Sequence, residues 1–161
     1  MKNIFQESKI YLNFLNILKI LNQIQVTPIV YGSLGLALQI NEEIQVNDID
    51  LLLTREDDNK FQKLISVLIN NSFKIDPDHC REFSSADCIV SAIALKEIEE
   101  LIKNRKIELI PAEINGLKFY NLTLPIHKQI YEIGLNKLRK VKKERSDTDK
   151  INLIAKHIAQ K

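Results

Sequence analysis

The chain has 161 residues, 23 Lys and Arg against 21 Asp and Glu, and 45% hydrophobic and 27% charged residues. That suits one domain with room for a core, and a formal net charge of +2 does not by itself indicate nucleic acid or a membrane as partner. Glu7, Lys9, Asn13, Asn16 and Lys19 interrupt the apolar N-terminal stretch, and no apolar run is long enough for a membrane span, so neither a targeting segment nor a membrane helix is expected. Cys80 and Cys88 make no disulfide framework and no metal spacing with the scattered His79, His127 and His157, so a cytoplasmic location is expected.

Between residues 4 and 24, Ile10, Phe14, Ile17, Leu18, Leu21 and Ile24 recur at helical spacing, which predicts a packing helix for a sheet. Pro28-Ile29-Val30-Tyr31 then has the β-branched character of a short strand. Gly32 permits a tight turn, and Ser33 is expected to N-cap a helix over 34–40, leaving backbone N–H groups that suit a phosphate. Asp48-Ile49-Asp50-Leu51 follows in a second apolar run. On a strand, Asp48 and Asp50 would share one face while Ile49 enters the core. Paired carboxylates repel unless a cation lies between them, and two hard oxygen ligands suit Mg²⁺.

Thr54 and the acidic residues 56–58 read as a helix start, and Phe61, Leu64, Ile65, Leu68 and Ile69 as the apolar face of a helix ending near Asn70-Asn71. Residues 73–75 form a short strand candidate, ended by Asp76-Pro77-Asp78. Residues 87–94 are expected to be the third strand of the sheet, and 95–102 a helix with Lys96, Glu97, Glu99 and Glu100 solvated. Residues 107–110 and 113–122, around Asn115-Gly116, suggest a hairpin. From Pro125 the pattern is helical, turns basic at Lys137, Arg139, Lys140, Lys142, Lys143 and Arg145, and resumes as a last helix over 150–160 with Ser146-Asp147 as its cap. The basic run is a solvated helix face, a contact for triphosphate or RNA phosphates, or a partner surface. No linker divides the chain, so a single domain over 1–161 is expected, with a core at about 25–122 and a helical C-terminal part at about 125–160.

Tyr31-Gly32-Ser33, a helical spacer and Asp48-Ile49-Asp50-Leu51 together resemble the small bacterial nucleotidyltransferase domains of the DNA polymerase β-like superfamily. Tyr131, Lys137 and Arg145-Ser146-Asp147 extend the likeness, although the second acid usual in that last segment falls on Lys150. The resemblance implies an α/β (α+β) fold, a mixed sheet flanked by helices with a helical C-terminal extension. It implies a nucleoside triphosphate, ATP among the candidates, with its phosphates over Gly32 and Ser33. Asp48 and Asp50 would be the catalytic pair and hold Mg²⁺, and a nucleoside monophosphate would pass to a hydroxyl of a small molecule, protein or RNA. A third carboxylate normally comes from the next strand; Asp87 and Glu108 are the candidates, each also readable as a surface acid, and Ser91 is no substitute. Without that acid, the alternative is a catalytically reduced binding module with a partner protein, for example a toxin–antitoxin component.

Overall fold

Alternation within two short apolar strands fixes the architecture. The computed structural model describes residues 8–40, 42–135 and 141–161. Its strands are β1 (Ile29–Tyr31), β2 (Ile49–Leu53), β3 (Lys74–Ile75), β4 (Glu82–Ser84), β5 (Ile89–Ala94), β6 (Leu109–Ile114) and β7 (Leu117–Leu122). Its helices are α1 (Lys9–Gln23), α2 (Gly32–Gln39), α3 (Arg55–Asp58), α4 (Phe61–Asn70), α5 (Leu95–Leu101), α6 (Leu124–Leu135) and α7 (Val141–Ala159). The described strands form one mixed sheet in the order β3-β4-β5-β2-β1-β7-β6, with β2–β5 and β1–β7 parallel and the other pairs antiparallel. The expected α+β class, with helices on a mixed sheet and a helical C-terminal part, is what the chain adopts.

Period-two alternation divides the sheet into two faces. Val30, Ile49, Leu51, Leu53, Val90 and Ala92 point into a core with Phe14 and Leu18 of α1 and Leu64 and Leu68 of α4. Phe14 meets Phe119 of β7 edge to face, with centroids 5.6 Å apart. Asn22 brackets α1 to that strand: its Nδ2 donates to the Lys118 carbonyl at 3.0 Å, and its Oδ1 accepts from the Lys118 N–H at 2.7 Å. On the other face Ile29, Leu52 and Leu122 pack with Ile98 and Ile102, at the end of α5, and with Ile126 of α6. A third cluster joins Leu36 and Ile40 at the end of α2 to Leu124 and Tyr131 of α6 and Ile154 of α7.

Several boundaries differ from the sequence expectation. Residues 87–94 contain the fifth strand in chain order rather than the third, because β3 and β4 precede it in the chain and pair outside it at the same edge. Strand β6 runs through Pro111, which an edge strand tolerates because only one side of it is paired. Asn115 and Gly116, both at positive φ, make the hairpin turn as read. The expected cap at Ser146-Asp147 is not a helix start. Helix α7 is continuous from Val141, with no Gly or Pro to break it, and Asp147 is buried within it. Of the basic run, residues 136–140, and with them Lys137, lie outside the described residues; the rest lies at the start of α7.

Candidate functional site

Strand β1 ends where Gly32 takes φ +65° and turns the chain directly into α2. Ser33 is therefore not the N-cap that the sequence suggested; Tyr31 holds that position, and Ser33 lies within the first helical turn. Its hydroxyl accepts a hydrogen bond from the Lys150 ammonium of α7, Nζ to Oγ 2.8 Å. The same ammonium stands 5.3 Å from the centre of the Tyr131 ring, so a cation from the C-terminal helix is held beside the α2 N-terminus. Lys150 also lines, with Glu43, Ile44, Gln45, Asp149 and Leu153, an open cleft of about 350 Å³.

The two faces of the sheet explain where the acids point. Asp50 alternates with the core residues Leu51 and Ile49, so its carboxylate emerges on the α5 and α6 side. There it lies against the Gly32 turn: a Cβ at residue 32 would fall 2.5 Å from Asp50 Oδ2. Tyr31 of β1 and Ser91 of β5 are the direct cross-strand neighbours of Asp50. Ser91 Oγ donates to Asp50 Oδ1 at 2.9 Å.

Asp48 stands just ahead of β2 rather than within it. Burial, followed by the charges of Asp50, Glu97 and Asp48, pushes the Tyr31 phenol far above its usual range, and the neighbouring Ser91 hydroxyl offsets this only in part. Both predicted aspartates thus act on one phenol beside the turn. Glu97, read from sequence as part of a solvated helix face, is a further acid acting on the same group.

Neither candidate for a third carboxylate reaches Asp50. Asp87 lies before β5 and is paired with Lys9 of α1, 2.5 Å apart, on the layer covering the opposite face. Glu108 is exposed and precedes β6, which β1 and β7 separate from β2, about 14 Å at the usual strand spacing. Among the described residues no three His, Cys, Asp or Glu side chains gather as a metal site would require. Among the described residues the turn offers hard oxygen donors in the Asp50 carboxylate and the Ser33 and Ser91 hydroxyls, with Asp48 just ahead of β2, a donor set that fits Mg²⁺ completing its shell with water and phosphate.

Beneath the site, Gly35 lets α2 lie directly on β1; a Cβ there would fall 2.7 Å from the Val30 carbonyl and 3.0 Å from His127 Cε1. Gln39 Nε2 donates to the Leu122 carbonyl at 2.9 Å and stands 3.1 Å from His127 Nε2. Burial depresses the His127 pKa to about 4, so at neutral pH the imidazole is uncharged and its Nε2 accepts from Gln39. The two cysteines take no part: Cys88 is buried, its thiol pushed up by burial, and Cys80 is exposed. Among the described residues, no helix is long and apolar enough to cross a membrane.

No protein-family model matches the chain. Among solved structures it superposes on ANT(2″)-Ia, captured in complex with adenylyl-2″-tobramycin, with a TM-score of 0.65, 11% identity, and coverage of 91% of this chain and 88% of that one. It also superposes on an antigenic nucleotidyltransferase-like protein from Paracoccidioides brasiliensis, with a TM-score of 0.58, 12% identity, and coverage of 86% and 72%. These likenesses establish the nucleotidyltransferase fold. In sequence, the uncharacterized protein YnaI of Bacillus subtilis (strain 168) is 31% identical over 156 residues, which span 93% of this chain and 98% of YnaI. The chain, a nucleotidyltransferase-fold protein, belongs to the YnaI family.

Proposed function

We propose that the chain binds a nucleoside triphosphate with Mg²⁺ at the junction of β1, α2 and β2, and transfers its nucleoside monophosphate to a hydroxyl of an acceptor. The observation carrying this reading is the contact of the Asp50 carboxylate with the Gly32 turn. It brings an acid oxygen to the N-terminus of α2, where backbone N–H groups and the helix dipole favour phosphate. Asp48 and Asp50 hold the ion, Ser33 and the α2 amides receive phosphate oxygens, and the Lys150 ammonium turns from Ser33 toward the triphosphate. Bound there, Mg²⁺ would neutralise phosphate charge and stabilise the attacking and leaving oxygens of an in-line displacement. The neighbouring fold that carries adenylyl-2″-tobramycin supports a small molecule as acceptor and ATP as donor.

Ser91 favours a second reading. It occupies the cross-strand position beside Asp50 from which a third carboxylate would act, and a neutral hydroxyl cannot draw a proton from an acceptor as a carboxylate does. On this reading the chain is a catalytically reduced module that binds nucleotide and works through a partner, as in a toxin–antitoxin pair.

One screen separates the two. ATP, GTP, CTP and UTP are each incubated with Mg²⁺ and candidate acceptors, and pyrophosphate release is followed for the wild type, Asp48→Ala and Asp50→Ala. Transfer requires release that both substitutions abolish. Release persisting in both variants removes the proposed site, and tight nucleotide binding without release selects the binding module.

A further inference from the structure

Lys96, Glu99, Glu100 and Lys103 recur at i, i+3, i+4 and i+7, so they form one stripe along α5 and its exit, opposite the Ile98 and Ile102 stripe that packs on the sheet. Arg55, where β2 runs out into α3, and Arg105, on the segment leading to β6, join that stripe to line a cleft of about 470 Å³. Arg55 is five residues beyond Asp50, about 15 Å at strand spacing, so the cleft is separate from the junction of β1, α2 and β2. Lys96 stands 3.6 Å from Glu100 and is neutralised by it. Arg55, Lys103 and Arg105 are exposed and have no ion-pair partner among the described residues, which leaves three cations facing one further acid, Glu99. The backbone adds a reason to look at Lys103. It leaves α5 at φ +54°, its N–H donating to the Glu100 carbonyl at 3.4 Å and the Asn104 N–H to the Glu99 carbonyl at 3.0 Å, a left-handed helix exit where glycine costs least. A lysine there costs backbone energy and delivers an ammonium to the cleft.

We propose that this cleft is a separate anion site that takes a compact polyphosphate group, with Arg55 and Arg105 gripping phosphate oxygens and Lys103 adding charge. The volume is that of a small-molecule site. Two guanidinium forks match phosphate oxygens in pairs, and the lysine acts as a point charge. Among the described residues the lining has no aromatic side chain on which a base could stack, so the cleft reads charge and not the group that carries the phosphates. Two net positive charges confined to one cleft suit a compact anion, not the extended track that a nucleic-acid backbone requires. The site does not depend on the nucleotide reading above, because it shares no residue with the junction.

Inorganic tripolyphosphate, titrated at fixed ionic strength into the isotope-labelled full-length protein and followed by the amide resonances, tests the site. Saturable shifts at residues 95–106 and around Arg55 are expected; shifts confined to the start of α2, or none that saturate, would overturn the proposal. ATP without a divalent ion should move the cleft resonances with no higher affinity than tripolyphosphate, and a cleft that binds ATP far more tightly would overturn recognition by charge alone. Replacing both arginines, Arg55→Gln with Arg105→Gln, should weaken cleft binding by at least about tenfold. Unchanged affinity in that folded variant would overturn the site. Lys103→Gly covers the case in which the double variant does not fold, because it relieves the left-handed backbone. It should melt no lower than the wild type while tripolyphosphate affinity falls by about fivefold. Full affinity in Lys103→Gly would overturn the role given to that ammonium.

Discussion

Gly32 and Asp50 are mutually exclusive in space with any side chain at residue 32: an added Cβ would fall 2.5 Å from the aspartate's Oδ2. The glycine is required twice, since the backbone there also has φ +65°, which L residues with side chains rarely adopt. Gly32→Ala should therefore lower stability by about 1–3 kcal/mol in urea denaturation and push the Asp50 carboxylate off the turn. Nucleotide affinity should fall by more than stability alone explains. A variant with lost stability and unchanged nucleotide affinity would separate the turn from the binding site.

Lys150 reaches from the last helix to the first turn of α2 across 117 residues of sequence. If its ammonium serves the triphosphate, Lys150→Met should weaken triphosphate binding about tenfold, near the range of one charge-assisted hydrogen bond, and flatten the salt dependence of binding. Nucleoside monophosphate binding should change less, because the charge removed lies at the phosphate end. Isothermal titration at two salt concentrations checks both expectations.

His127 gives the fold an acid-side limit. Its folded pKa, about 4, lies below the ordinary 6.5 of an unfolded histidine, so the unfolded chain takes up the proton first as pH falls. Stability from the neutral imidazole is fully present above pH 6.5 and is lost progressively between 6.5 and 4. The linkage amounts to about 3 kcal/mol over that window. Urea denaturation from pH 7.5 to 4 measures it, and His127→Gln should flatten the curve in that interval if the variant folds. The same slope in both proteins would assign the acid sensitivity to other groups.

Much of the site was legible because it is local. Tyr31-Gly32-Ser33 joins a strand to a helix within three residues, and Ile49 and Asp50 take opposite faces by alternation, whereas Asp48 falls just ahead of the strand. What the sequence hid is set by strand register and long-range packing. Ser91 becomes a partner of Asp50 only when β5 pairs in parallel with β2, and Lys150 meets Ser33 only once α7 packs with α2 and α6. Ser33 read as a cap because serine before an apolar helix usually is one; the positive φ of Gly32 started the helix two residues early and left the hydroxyl for lysine. Similarly, β4 escaped notice because three residues with one buried phenylalanine carry too little periodicity to stand out.

Equilibrium binding of a fluorescent ATP analogue, with Mg²⁺ and with EDTA, to the wild type, Asp48→Asn and Asp50→Asn tests the shared cation most directly. Both substitutions keep side-chain volume and remove only charge. The expected outcome is Mg²⁺-dependent binding in the wild type that falls by at least about tenfold in each variant, with melting temperatures close to wild type. Binding that EDTA leaves intact, or that survives both substitutions, would contradict a divalent ion bridging these acids to a polyphosphate.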